Sequence, residues 1–303
     1  MGAIMSATVS ASSSRGRRAA LVLAILLAAF ALLLGSSIAG PADSAWAAVA
    51  TGKPDKPGKP GGGGGGGTTE LEYAAIGDSF AAGTGARSYL DTSCYRSANS
   101  YPKLLDADAN LRLVAFPACS GASTVEVISQ QVPAIPSTAR VVTVTVGGND
   151  VGFADVMQNC FVLVTSSCPT FIANGSTIAA SSGFATSIRN VVAAAKAKAP
   201  GAKVIVTGYP LLFHLNSSGV NAKYAWADEV NVETVKLNDV IETNAIAAGA
   251  VFVDAEGPFA GHGIGSSSPW INDWNWLRPK DGFHPNATGY AAYAAALRLV
   301  PVP

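Results

Sequence analysis

The chain has 303 residues, 20 basic and 20 acidic side chains, and a hydrophobic content of 49%. This charge balance indicates no basic footprint for nucleic acid, so we expect no nucleic-acid partner. A chain of this length can bury a sizeable hydrophobic core.

The first 48 residues are predicted to be a signal peptide. Three arginines precede an apolar run over 19–34, and small residues near Ala47 fit a cleavage site. The run is shorter than the ~20 residues of a membrane-spanning helix. An uncleaved N-terminal anchor is the alternative, and in both cases we expect the remainder to be secreted or extracellular. Removing the leader takes three Arg and Asp43 with it, which leaves 17 basic and 19 acidic residues.

Residues 49–68 are predicted to be a flexible linker. This stretch is rich in Pro, Gly and Lys and ends with seven consecutive glycines before two threonines. Glycine loses much conformational entropy on ordering, and the stretch has no apolar surface to bury. We therefore expect a single globular domain over 69–303.

Four cysteines, an even number on an exported chain, predict two disulfides with three possible connectivities. We favour Cys94–Cys119 and Cys160–Cys168, because each pair closes a short loop. A metal site is the alternative, but these cysteines lack Cys-x-x-Cys spacing.

Strand and helix signals alternate along the domain. Apolar runs rich in β-branched residues predict five strands, at 71–76, 111–116, 139–146, 202–208 and 250–254. Apolar residues spaced three and four apart predict helices at 185–199 and 227–248, and Asn286 can cap a last helix that reaches Leu297. The alternation predicts a three-layer α/β/α sandwich with a central, mainly parallel five-stranded sheet. Ligands bind such sheets beyond the carboxyl ends of the strands.

The first predicted strand ends in the sequence GDSF, which places Ser79 at that edge of the sheet. A serine hydroxyl needs a base to become a nucleophile. Of the three histidines, His284 lies before the last helix, where its loop can return to the strand ends. Asp281, three residues earlier, could orient the imidazole. The alternative is an ordinary loop histidine. Asp78 is expected to cap or brace the turn.

Two further turns follow predicted strands. Gly121 follows the second strand in PACSGAST, and Asn149 follows the third in VGGND. A glycine allows the backbone to approach a substrate, and an Asn amide can donate to a developing oxyanion. Each motif alone is also typical of an ordinary turn.

Taken in order, GDSF, the Gly121 turn, GGND and DGFHPN resemble the four blocks of the SGNH (GDSL) hydrolase family, over about residues 71–297. The nearest resemblance is to secreted actinobacterial lipases and esterases of that family.

The resemblance implies a role for each of five residues. Ser79 would be the nucleophile and His284 the base. The Ser79 N–H, the Gly121 N–H and the Asn149 side chain would form the oxyanion hole. Asp281 would be the acid of the triad, although some secreted actinobacterial relatives use a main-chain carbonyl instead.

The resulting hypothesis is a secreted serine ester hydrolase that cleaves lipid esters through an acyl-enzyme at Ser79. The alternatives are an acetyl esterase acting on polysaccharide and an inactive surface-binding module. We expect no metal, no organic cofactor and no stable protein partner, and we expect a monomer. The aromatic stretch at 270–279 could line an acyl or glycan pocket or fill the core.

Overall fold

The computed structural model describes residues 70–303, so the predicted signal peptide and linker lie outside the described residues. Within residues 70–303, no helix has the length and apolar character needed to cross a membrane.

Five parallel strands form one sheet in the order β2-β1-β3-β4-β5. Their bounds are β1 Leu71–Gly77, β2 Leu111–Ala115, β3 Val141–Thr145, β4 Lys203–Thr207 and β5 Val251–Val253. All five predicted strands are confirmed within two residues at each end. Gly77 pairs with Thr145, so the adjacent strands β1 and β3 end at the same level of the sheet.

Eight α-helices connect or cover these strands within the described residues. They are α1 Ser79–Ala82, α2 Tyr101–Asp106, α3 Thr124–Glu126, α4 Phe153–Met157, α5 Cys168–Ala179, α6 Ser182–Lys198, α7 Ala227–Ala247 and α8 Ala287–Arg298. Two π-helical turns, Val127–Gln131 and Gln158–Val162, extend α3 and α4, and a 3₁₀ turn follows at Val132–Ala134. The three predicted helices are confirmed as α6, α7 and α8, and Asn286 caps α8 through its side chain.

The core lies between the sheet and its helices. Every residue of β3 and the last five residues of β1 are buried, as expected for central parallel strands covered on both faces. Helix α2 packs against α8, and α7 packs against α5 and α6. This arrangement confirms the predicted three-layer sandwich and directs the turns after β1, β2 and β3 to one edge of the sheet.

Candidate active site

The turn after β1 presents Ser79 through a close backbone approach. A Cβ on Gly77 would lie 2.1 Å from the Thr145 carbonyl oxygen, and its φ of +132° is one that other residues rarely adopt. Immediately after it, the Asp78 N–H donates to that same carbonyl at 2.8 Å. The Asp78 carboxylate then accepts from the Phe80 N–H and caps α1, as predicted. Ser79 therefore occupies the first position of a short helix at the strand end.

The structure brings Ser79 and His284 together. The Ser79 Oγ lies 2.8 Å from His284 Nε2, although 205 residues separate them. On the other side of the ring, Nδ1 lies 2.8 Å from the Gly282 carbonyl oxygen. A carbonyl oxygen can only accept, so Nδ1 carries the proton and Nε2 is free to accept from the Ser79 hydroxyl. The geometry fixes the tautomer that a general base needs.

The surroundings of His284 favour its neutral form. Burial lowers the pKa of His284 to about 4, and the Lys280 charge acts in the same direction. The hydrogen bond to Gly282 and the Asp281 charge partly oppose this fall in pKa. At neutral pH the imidazole is therefore unprotonated and able to take a proton.

Asp281 lies near His284 but makes no hydrogen bond to its ring within residues 70–303. Its carboxylate accepts from the Tyr89 hydroxyl at 2.7 Å and lies 3.8 Å from the Arg87 guanidinium. The Tyr89 oxygen in turn accepts from the Gly85 N–H at 2.9 Å. Of the two orienting groups that the sequence left open, the main-chain carbonyl is the one that contacts the imidazole.

Asn272 joins the His284 loop to the chain that follows α1. Its side-chain amide donates to the Gly85 carbonyl at 3.1 Å and to the His284 carbonyl at 3.0 Å. Its own N–H also donates to the His284 carbonyl, at 2.9 Å. These contacts hold the His284 loop and the chain after α1 in one framework, and sequence reasoning did not single out Asn272.

Gly121 and Asn149 lie on the turns after β2 and β3. The Asn149 side-chain amide donates to the Ala122 carbonyl at 3.0 Å, which ties the two turns together and leaves its second N–H available. Next to it, Asp150 accepts from both the N–H and the hydroxyl of Thr124. Gly121 has a φ of +89°, so its conformation favours glycine.

A buried chain of hydrogen bonds links the turn after β1 to the GGND turn after β3. The Gly148 N–H donates to the Tyr209 oxygen at 2.9 Å, and the Tyr209 hydroxyl donates to Asp78 at 2.5 Å. Burial raises the pKa of Asp78 to about 7, while the hydrogen bonds from Tyr209 and Phe80 oppose the rise. Asp78 thus braces two turns at once, through Tyr209, which the sequence analysis did not select.

Gln131 and a disulfide fix the opposite flank of the turn. The Gln131 side chain accepts from the Gly77 N–H at 2.7 Å and donates to its carbonyl at 2.9 Å. Cys119, whose N–H also donates to the Gly77 carbonyl, is bonded to Cys94. The second disulfide joins Cys160 to Cys168, so the structure contains both favoured pairs.

Two depressions flank the site. The first, which we term the apolar groove, is an open cleft of about 660 Å³ counting its solvent-filled mouth. Its lining includes Phe80, Val151, Phe153, Met157, Ile172, Ser176, Tyr209, Leu212 and Leu237. The Phe80 and Phe153 rings lie 5.3 and 6.1 Å from the His284 ring, so the groove begins beside His284. The second depression lies at Gly121 and is lined by Ser120, Glu126 and Gln130 among others.

Within the part of the chain that the structure describes, no group of three His, Cys, Asp or Glu side chains is arranged to hold a metal ion.

Comparison with known proteins identifies the family. Residues 75–292 match the GDSL-like Lipase/Acylhydrolase family. The chain belongs to this family. Family membership confirms the predicted resemblance and the predicted class, a carboxylic ester hydrolase.

Similar proteins come from Streptomyces. Lipase 1 of Streptomyces coelicolor is 36% identical over 219 residues, which cover 72% of this chain and 81% of that protein. Crystal structures of an extracellular lipase from Streptomyces rimosus and of phospholipase A1 from Streptomyces albidoflavus NA297 are each 33% identical, with TM-scores of 0.71 and 0.70. Each alignment covers 76% of this chain, and covers 100% and 99% of the respective crystallised chain. The aligned part of this chain therefore corresponds to nearly the full length of each crystallised chain.

Proposed function

We propose that the chain hydrolyses carboxylic esters of lipids through an acyl-enzyme at Ser79. One observation carries the proposal: the Ser79 hydroxyl lies 2.8 Å from a histidine nitrogen whose tautomer is fixed by the Gly282 carbonyl. A serine paired with an oriented neutral base is the arrangement from which nucleophilic acyl transfer starts.

The reaction begins when Ser79 Oγ bonds to the ester carbonyl carbon and its proton passes to His284 Nε2. The carbonyl oxygen becomes an oxyanion, for which the Ser79 N–H, the Gly121 N–H and the Asn149 amide are the proposed donors. The imidazolium keeps its Nδ1–H bond to the Gly282 carbonyl, so the ring stays in position while it holds the charge.

Collapse of this intermediate breaks the bond between carbon and alkoxide oxygen. The Nε2–H of His284 protonates the leaving alcohol, and the acyl group remains on Ser79. Water then gives a proton to the same nitrogen and bonds to the acyl carbon. The bond between that carbon and Ser79 Oγ breaks as Nε2–H returns its proton to Oγ, which releases the carboxylic acid and restores the serine. Asp281 has no part in these proton transfers, and we assign it a positioning role through Tyr89.

The apolar groove supports a lipid substrate. Its aromatic and aliphatic lining starts at Phe80 and Phe153 beside the base, so an acyl chain bound there would place its carbonyl at Ser79. The more polar depression at Gly121 would then receive the alcohol part. The lipases and the phospholipase A1 named above act on substrates of this class. The extracellular relative and the two disulfides support secretion.

Hydrolysis of p-nitrophenyl esters from acetate to palmitate tests the proposal. The protein is residues 68–303, and Ser79→Ala is the control because it removes only the hydroxyl. We expect the unaltered chain to prefer longer acyl chains and the variant to lose at least about 10³-fold in kcat. Turnover confined to acetate would overturn the lipid assignment, and activity retained by Ser79→Ala would overturn the mechanism.

A further inference from the structure

Five consecutive residues, Trp276–Lys280, are exposed on the loop that leads to His284. Leu277 is 91% exposed and Trp276 is 71% exposed. Among the large apolar side chains described, only Leu299, at 83%, has a comparable exposed fraction. Isolated exposed leucines are common on protein surfaces, but an adjacent Trp-Leu pair beside an active site is not.

A neighbouring loop extends this exposed surface. Tyr89 reaches Asp281 from the loop at 86–96, and the Lys280 ammonium lies 5.9 Å from the Tyr95 ring. Leu90 on that loop is 58% exposed, and the Arg87 side chain is 59% exposed. We term the resulting surface the Trp-Leu patch; it consists of Arg87, Leu90, Trp276, Leu277, Arg278 and Lys280.

The charge of the Trp-Leu patch is positive. Arg278 and Lys280 form no salt bridge within residues 70–303, so both charges are available to a partner. The acidic groups nearby are already engaged: Asp281 is buried against Tyr89 and faces Arg87, and Asp91 pairs with Arg96 at 2.6 Å. Asp273 on the same loop pairs with Lys223 at 2.5 Å.

Aromatic contacts connect the Trp-Leu patch to the residue that precedes His284. Trp276 packs edge-on to Trp274 with ring centroids 5.3 Å apart, and Trp274 stacks on Phe283 at 6.1 Å. Phe283 immediately precedes His284 and donates its N–H to the Asn272 carbonyl. A surface that contacts Trp276 therefore lies close along the chain to His284.

We propose that the Trp-Leu patch docks the enzyme on an anionic lipid surface. Tryptophan favours the boundary between headgroups and hydrocarbon, an exposed leucine gains by burial among acyl chains, and arginine and lysine pair with lipid phosphates. The geometry suits ester hydrolysis because Trp276 and Leu277 lie on the loop that leads to His284, which contacts Ser79. The value of this docking for catalysis rests on the proposed function, whereas the binding itself does not.

Vesicle sedimentation tests the proposal. The protein is residues 68–303 with Ser79→Ala, so that the lipids stay intact, and the vesicles are phosphatidylcholine alone or with about 30% phosphatidylglycerol. Trp276→Ser/Leu277→Ser should lower the partition coefficient by at least roughly tenfold. Arg278→Gln/Lys280→Gln should lower it by roughly fivefold per charge, and on the anionic vesicles only.

Leu299→Ser is the matched control. Leu299 is 83% exposed and follows α8. The last residue of α8, Arg298, contacts Asp108, which precedes β2. Leu299 therefore lies toward the amino ends of the strands, whereas Ser79 lies at their carboxyl ends. This control should bind vesicles as the parent does. The proposal would be overturned if Trp276→Ser/Leu277→Ser bound vesicles as well as the parent does, or if Leu299→Ser lost as much binding as that variant. Retention of the parent on insoluble polysaccharide without vesicle binding would also overturn it.

A soluble short-chain ester separates docking from catalysis. With Ser79 restored, Trp276→Ser/Leu277→Ser should hydrolyse p-nitrophenyl acetate as the unaltered chain does and lose activity only on vesicles. Equal losses on both substrates would overturn the docking role. Absence of all ester hydrolysis in the unaltered chain would contradict the proposed function, while the vesicle-binding result would still decide the docking proposal.

Discussion

Asp281→Asn distinguishes a carboxylate from a main-chain carbonyl as the group that orients His284. The carboxylate contacts Tyr89 and Arg87, and the imidazole Nδ1 contacts Gly282. Asparagine keeps an oxygen that can accept from Tyr89, so the loop should retain its geometry. We expect kcat/KM to fall by less than about tenfold, whereas the same change to an aspartate bonded to a catalytic Nδ1–H costs about 10⁴ in kcat.

The cost of Asp281→Asn should appear in stability. A hydrogen bond to a charged group contributes about 1.5–3 kcal/mol and a neutral one about 1 kcal/mol. The Arg87 pair is more than half exposed on the arginine side, so it adds at most about 1 kcal/mol. We therefore expect the free energy of unfolding to fall by about 1–2 kcal/mol in urea denaturation.

The assay measures kcat and KM separately on a soluble short-chain ester across pH. The Asp281 charge raises the pKa of His284, so its removal should move the acidic limb of kcat/KM to lower pH. Tyr89→Phe is the control, because it removes the hydrogen bond but keeps the charge, and it should leave that limb in place. A loss of about 10³-fold or more in Asp281→Asn, with the fold intact, would refute the assignment of Gly282.

Three further predictions concern His284, Gln131 beside the turn after β1, and the apolar groove. In the unaltered chain, kcat/KM should rise with pH as His284 loses its proton, with a midpoint near the pKa of about 4, and a midpoint at its ordinary value would contradict the burial argument. Gln131→Ala should lower the free energy of unfolding by about 2–4 kcal/mol in urea, because it leaves the buried Gly77 N–H without a partner; a change below about 0.5 kcal/mol would be inconsistent with that reasoning. Ser176→Trp should fill the apolar groove and reduce kcat/KM for palmitate at least about tenfold more than for acetate, and equal losses would place the acyl chain elsewhere.

The strands and long helices were predictable because their signals are local. Parallel strands that are buried on both faces favour apolar and β-branched residues, and β3 consists only of valine and threonine. Asn286 indicates the start of α8, because an Asn side chain before a helix can accept from a free backbone N–H of the first turn. Asp78 gives the same kind of signal for α1, whereas the π-helical turns have none.

The side chains of the site were predictable where chemistry demands a residue type. Ser79 and His284 follow from the need for a nucleophile and a base, and the structure places them in contact. The Gly282 carbonyl could not be chosen from sequence, because every residue carries one. Tyr209 lies 131 residues from Asp78, and only the folded sheet brings their side chains together.

The aromatic stretch at 270–279 shows why composition alone could not assign a role. Trp270 stacks on His262 at 3.6 Å and Trp274 stacks on Phe283, whereas Trp276 faces solvent. These three tryptophans lie within seven positions, and the conformation of the loop determines which of them are packed and which are exposed.

Covalent labelling tests directly whether Ser79 is the nucleophile. Residues 68–303 would be treated with a fluorophosphonate, digested and mapped by mass spectrometry, with Ser79→Ala and His284→Ala treated in parallel. We expect Ser79 to be the single modified serine of the unaltered chain. Ser79→Ala should not be modified, and His284→Ala should be modified much more slowly than the unaltered chain. An unmodified Ser79 in a folded chain that still hydrolyses esters would contradict its assignment as the nucleophile.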